Sequence, residues 1–195
     1  MPRDSRATRQ RLQEAALSLF SRDGYDATTA TAIAQAAGVT ERTFFRHFAD
    51  KRDVLFTPQD EFERPFLEAA AGAPDPNVRA LIEASVLAGA QSFRDRPRTW
   101  SRARQGILDA EDRLAERERS KLASLAGSLE DAFAERGADK VTARLGAEIA
   151  TSTFRIAFHR WINSDDGANL VQVQQDVLRR LDDVLGTIEQ RRAVR

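Results

Sequence analysis

The sequence predicts an all-α protein of about nine helices, three of them N-terminal and the rest forming a larger helical domain. Three observations carry that expectation. Period-two alternation of β-branched and aromatic residues, the mark of a strand, appears nowhere. Ala, Leu, Arg, Glu and Gln dominate, all residues that lose little on entering a helix. Gly and Pro stand where one amphipathic segment gives way to the next.

The first helix is expected from Ser5 to Arg22, with Leu12, Ala15, Ala16, Leu19 and Phe20 on one face and Gly24 closing it. Thr28 and Thr29 offer an N-cap for a short helix to Ala37, which Gly38 breaks. Thr40 caps a second short helix, Glu41 to Phe48. Asp50 is placed to cap a fourth helix from Lys51, and Thr57-Pro58 is an N-cap followed by proline, where that helix can stop and restart. Pro65 is expected to kink or end the restarted piece. Ala71-Gly72-Ala73-Pro74 reads as a linker, and Asp75-Pro76 opens a helix to Arg94. Further helices are expected from Pro97 to Asp109, Glu111 to Arg136, Asp139 to Asn163 and Asn169 to Arg192.

Composition narrows the class. With 195 residues, 42% of them hydrophobic, the chain can bury a real core. It has no cysteine, which removes disulfides, thiolate metal sites and a cysteine nucleophile. No apolar run approaches the roughly 20 residues of a membrane span, and Met1 to Gln13 lacks the apolar stretch of a secretory signal, so a cytoplasmic location is expected. Thirty basic side chains balance thirty acidic ones, so bulk charge does not advertise a nucleic-acid partner. Residues 1–53 carry nine basic against seven acidic side chains, a slight local excess; any positive potential there has to be geometric.

One segment carries chemistry. From Thr28 to Phe48 two short helices flank a Gly-containing turn, which is the helix-turn-helix pattern. Ile33, Ala34 and Ala37 make the inner face of the first, Val39 fills the angle, and Phe44 and Phe48 anchor the second. That leaves Arg42, Thr43, Phe45, Arg46 and His47 facing outwards, on a helix whose N-terminal residues suit base edges in a major groove. Thr29, Thr40 and Lys51 sit at or beside helix starts, where phosphates are favoured.

From Arg9 to Leu55 the chain resembles the N-terminal domain of the TetR (tetracycline-repressor-like) family. The resemblance rests on Ala16-Leu17-x-Leu19-Phe20, Gly24-Tyr25-x-Ala27-Thr28-Thr29, Ile33-Ala34-x-Ala36-Ala37-Gly38-Val39 and Thr43-Phe44-Phe45-Arg46-His47-Phe48-x-x-Lys51. It implies phosphate contacts for Thr29, Thr40, Phe45, His47 and Lys51, and base or flanking-phosphate contacts for Glu41, Arg42, Thr43 and Arg46. The family usually has Tyr where this chain has Phe45, so a hydroxyl donor is replaced by a packing surface. Glu41 is acidic at a contact position and repels phosphate unless it accepts from a cytosine amino group.

The resemblance also implies a division into residues 1–53, a DNA-binding domain, and 54–195, a C-terminal helical ligand-binding and dimerisation domain. Phe62, Phe66, Phe93, Trp100, Ile107, Phe133, Phe158 and His159 are candidates for an effector pocket, although taken singly each aromatic reads as core and His159 as structural. The last helix bears an apolar stripe, Leu170, Val173, Val177, Leu181, Val184, Leu185 and Ile188, which together with the preceding helix is expected to form a homodimer interface. The expected protein is a ligand-responsive repressor, released from a palindromic operator on double-stranded DNA by a small apolar or amphipathic effector. No nucleotide loop, paired-histidine motif or nucleophile elbow is present, so no catalytic residue, metal or cofactor is expected, and the chain is not read as an enzyme. A helical adaptor without sequence-specific DNA binding is the alternative.

Overall fold

The computed structural model describes the backbone of residues 3–193 and the side chains of residues 5–186. Among these, nine α-helices and one 3-10 turn are joined by short loops, with no strand. The helices are α1 (Arg3–Asp23), α2 (Ala30–Ala36), α3 (Glu41–His47), α4 (Gln59–Gly72), α5 (Val78–Gln91), α6 (Arg98–Ala110), α7 (Asp112–Glu135), α8 (Lys140–Asn163) and α9 (Leu170–Ala193). Ile188 of the expected stripe lies outside the described side chains.

Local chemistry fixes most of the boundaries. Gly24, Gly38, Gly137 and Gly167 take positive φ at joints between helices. Asp139 caps α8, accepting from the amides of Val141 and Thr142 at 3.0 and 3.2 Å. Two expectations need correction. No helix begins at Lys51: the chain there makes only the 3-10 turn Asp53–Leu55, and α4 starts after Pro58. Pro58 is a restart with no helix before it. Pro65 does not end α4, which continues to Gly72.

The chain packs as two units, and their membership departs from the sequential split at residue 53. One unit combines residues 1–58 with 99–119; the other combines 59–98 with 120–195. The first therefore includes most of α6 and the start of α7, segments that the sequence places in the C-terminal domain. The physical reason is a pair of arginines. Arg104, buried on α6, donates from Nε to the Leu55 carbonyl at 2.6 Å and forks onto Glu118 at 2.9 and 3.3 Å. Arg117 reaches Asp53 at 2.5 Å. Both guanidinium groups lie over the Phe56 ring, at 5.2 and 4.6 Å from its centroid. Ile107, Leu108 and Leu114 consequently join the same apolar core as Leu12, Ile33 and Phe44.

The second unit has its own core, built by α4, α5, α7, α8 and α9. Helix α8 contributes small residues, Ala143, Gly146, Ala147, Ala150 and Ala157, all buried, which let neighbouring helices approach closely. Aromatic rings fill the adjoining space: Phe66 meets Phe154 edge-on at 4.9 Å, and Phe93 meets Phe158 at 5.4 Å. At Gly89 a Cβ would overlap the Phe66 ring, so the close contact of α4 with α5 requires glycine.

Candidate nucleic-acid interface

In the first unit, α2, a turn and α3 form the expected helix-turn-helix. Thr29 caps α2, its Oγ1 accepting from the Ala32 amide at 3.1 Å. The buried Thr28 hydroxyl donates to the Gly24 carbonyl at 2.8 Å and pins the approach to that cap. At the other end, Gly38 adopts φ +68, its amide donates to Gln35 O, and the Val39 amide donates to Ala34 O, both at 3.0 Å. That pair of bonds is a Schellman motif, which satisfies the Ala34 and Gln35 carbonyls near the end of α2 and reverses the chain within two residues. Thr40 then caps α3 by accepting from the Thr43 amide at 3.2 Å, and the two threonine hydroxyls lie 3.0 Å apart.

Helix α3 is held by one face and free on the other. Phe44 is fully buried and Phe48 nearly so. Their rings contact each other at 5.5 Å, within the cluster made by Leu12, Leu19 and Phe20. Thr40, Glu41, Arg42, Phe45 and Arg46 are exposed, while Thr43 and His47 are half-buried at the margins. Phe45 is 50% exposed and stands edge-on to Phe44 at 5.3 Å, an aromatic in water with its polar counterpart missing. Thr29 is exposed at the start of α2.

Two site residues behave differently from simple surface cations. The Lys51 ammonium donates to the carbonyls of Tyr25, Asp26 and Thr28 at 2.8, 3.3 and 3.0 Å, and lies 4.3 Å from the Tyr25 ring centroid. All three of its donors are spent inside the head, so a phosphate contact requires trading one of them. Lys51 positions the loop before α2, whatever else it does. The His47 imidazole has its pKa held below the ordinary value, first by burial and then by the nearby Arg46 and Arg9 charges. Its Nε2 is covered and has no hydrogen-bond partner.

The candidate effector residues are not gathered in one place. Trp100 and Ile107 belong to the first unit, and Ile107 is part of its core. Phe62, Phe66, Phe93, Phe133, Phe158 and His159 belong to the second. There Phe62, Phe66, Phe93 and Phe158 form a continuous aromatic cluster through Phe154. Phe133 is fully buried and His159 is exposed. An open cleft of about 710 Å³ in the first unit is lined by Tyr25, Lys51, Arg52 and Glu111 among others, and none of the eight candidates borders it.

One residue escaped the reading of the sequence. Arg9 of α1 places its guanidinium 4.9 Å from the centroid of the Phe48 ring. The contact joins residues in different helices, and no local spacing announces it.

Residues 12–56 match the family described as bacterial regulatory proteins, tetR family. The HTH-type transcriptional regulator TcmR of Streptomyces glaucescens is 39% identical over 110 residues, 56% of this chain and 45% of that protein. The chain thus spans less than half the length of the curated relatives it matches. Over the whole fold it is similar to NalD, the secondary repressor of the MexAB-OprM efflux pump in Pseudomonas aeruginosa (TM-score 0.59, 20% identity, covering 92% of this chain and 96% of that one). It is similar in fold also to FadR of Bacillus subtilis, crystallised with stearoyl-CoA (TM-score 0.58, 19% identity, covering 87% and 95%). With the head's geometry and these matches together, residues 12–56 are identified as an N-terminal domain of the tetR family of bacterial regulatory proteins.

Proposed function

We propose that the chain is a ligand-responsive, DNA-binding transcriptional regulator, a repressor that leaves a palindromic operator when a small apolar or amphipathic effector binds. The observation that carries this reading is α3 itself. It is anchored by Phe44 and Phe48, capped by Thr40, and presents Arg42, Phe45 and Arg46 to solvent. A helix held in that way suits a major groove, with Arg42 able to read guanine through both of its terminal nitrogens. Thr29, Thr40, Phe45, His47 and Lys51 are assigned to the phosphate backbone, Glu41, Arg42, Thr43 and Arg46 to bases and flanking phosphates.

A single seven-residue reading helix gives little affinity, and pairing two of them around a two-fold axis supplies both strength and operator symmetry. The second unit offers the surface for pairing. Val141, Leu145 and Ile156 are more than half exposed along α8, and Val184 and Leu185 are exposed on α9. The homodimer is assigned to these two helices.

The effector is assigned to the second unit, around the aromatic cluster of Phe62, Phe66, Phe93, Phe154 and Phe158, whose rings suit an apolar body. FadR of Bacillus subtilis, which shares the fold, was crystallised with stearoyl-CoA, a ligand of that amphipathic kind. Release from DNA follows if the effector prefers the geometry that DNA does not, since a ligand shifts an equilibrium only by its differential affinity.

The test is binding of the full-length protein to duplex DNA from its own upstream region across a salt series. Retardation that weakens steeply with salt is expected. Arg42→Ala should change the preferred sequence and lower affinity for the preferred site by about 1–3 kcal/mol. A helical adaptor would ignore the duplex at moderate salt and be indifferent to the substitution.

A further inference from the structure

We propose that Arg9, on α1, is a phosphate-binding residue that works with Arg46 and His47 of α3, the three forming one seat for a backbone phosphodiester. The inference rests on the reading of the head as DNA-binding and adds a residue from outside the helix-turn-helix to its interface.

The Arg9 guanidinium lies over the Phe48 ring, its central carbon 4.9 Å from the centroid. A contact with a ring takes up none of the five N–H donors that a guanidinium carries. Among the described residues neither Arg9 nor Arg46 forms an ion pair or a side-chain hydrogen bond. Arg6 lies one turn before Arg9 on the same side of α1 and is exposed.

These cations converge. Both Arg46 and Arg9 lie close enough to His47 to oppose its protonation, after the larger effect of burial. The His47 Nε2 is covered and unbonded, a state that costs free energy until a partner reaches it. Among the described residues no carboxylate pairs with either arginine, so an anion is the partner the proposal supplies. A phosphodiester supplies one: it accepts from the guanidinium edge of Arg9 and, after rotation of the ring, from a protonated nitrogen of His47. The competing account is that Arg9 is only a lid on Phe48, its stem and flat face excluding water.

The experiment separates charge from packing. Arg9→Met keeps an unbranched apolar stem over Phe48 and removes the cation. Full-length wild type and Arg9→Met are titrated by fluorescence anisotropy with a 30-base-pair duplex from the upstream region and with a scrambled duplex of the same length, over a salt series. The expected result is about tenfold weaker binding to both duplexes. The slope of log affinity against log salt should fall by about 1 per bound protomer. Arg9→Lys should restore the slope, because it restores the charge. Should Arg9→Met prove unstable by circular dichroism, Arg9→Gln is the second neutral variant, and the same slope is read. A folded neutral variant with the wild-type slope and affinity overturns the proposal while leaving the DNA-binding reading intact. Failure of the wild type to bind either duplex overturns both.

Discussion

The first unit leaves arginines and one aromatic, Phe45, in water over a packed core; the second leaves branched aliphatics in water and seals a carboxamide in its core. In the first, Arg9, Arg42 and Arg46 stand without carboxylate partners while Leu12, Ile33, Phe44 and Leu55 are fully buried. In the second, Val141, Leu145 and Ile156 are exposed, yet Gln174 is entirely buried with neither amide atom bonded. The contrast says what each unit still needs. The head is a packed object with unpaired arginines on its surface, and the proposed partner for them is an anion. The second unit leaves apolar side chains exposed, and the proposed partner for them is another apolar face.

The sharpest break of that comparison is Phe44→Ala. Phe44 touches α1 through the core it shares with Leu12 and Phe20, and it carries α3. Losing a fully buried ring should cost about 3–5 kcal/mol. Chemical denaturation followed by circular dichroism should then show early loss of the first unit's helices. A small effect would mean that α3 is held by something other than its inner face. Next in size is the pairing surface. Ile156→Glu together with Leu145→Glu places carboxylates among exposed aliphatics, and dimer dissociation should become easier by about 100-fold in analytical ultracentrifugation. An unchanged association state would move the interface off α8.

The buried carboxamide is smaller and opposite in sign. Gln174→Leu should raise stability by about 1–2 kcal/mol, because an unbonded amide in an apolar core carries a desolvation cost that leucine does not. Ser85, also fully buried on α5 with an unbonded hydroxyl, is a second such group in the same unit. A stability loss in Gln174→Leu would show that the amide is bonded in solution, through water or a rotated side chain.

What the sequence revealed follows from how far each signal reaches along the chain. Gly24, Gly38, Thr29, Thr40 and Asp139 act on their own neighbours, so the boundaries they set were legible within a residue or two. The helix-turn-helix was legible for the same reason, since its caps, turn and inner face lie within one short segment. The enrolment of α6 in the first unit was not, because the Arg104 bond to Leu55 O joins residues 49 apart and an arginine in an amphipathic helix reads as solvated. The internal role of Lys51 was not legible, because its three acceptors come from residues 23 to 26 positions earlier. Arg9 was invisible because a stack between helices has no periodicity. The fourth helix expected from Lys51 failed on Asp53, whose carboxylate accepts from the Ala49 and Asp50 amides and folds the segment into a tight turn.

The smallest expected effect turns on His47 and has two signs. In the folded head its pKa lies below the ordinary value of 6.5, by burial and then by Arg46 and Arg9, the charged groups that face it from α3 and α1. The unfolded chain therefore binds more protons between the two values. His47 thus contributes stability that is fully present above about pH 6.5 and is lost as pH falls through the folded pKa. DNA affinity should move the other way. A phosphate beside the ring favours the imidazolium, so binding takes up a proton and strengthens on acidification over the same window. His47→Gln should remove both slopes, changing affinity by about twofold to threefold near pH 6 and leaving it nearly unchanged near pH 8. If acid weakens DNA binding in step with stability, His47 is a packing residue and the phosphate seat loses one of its three walls.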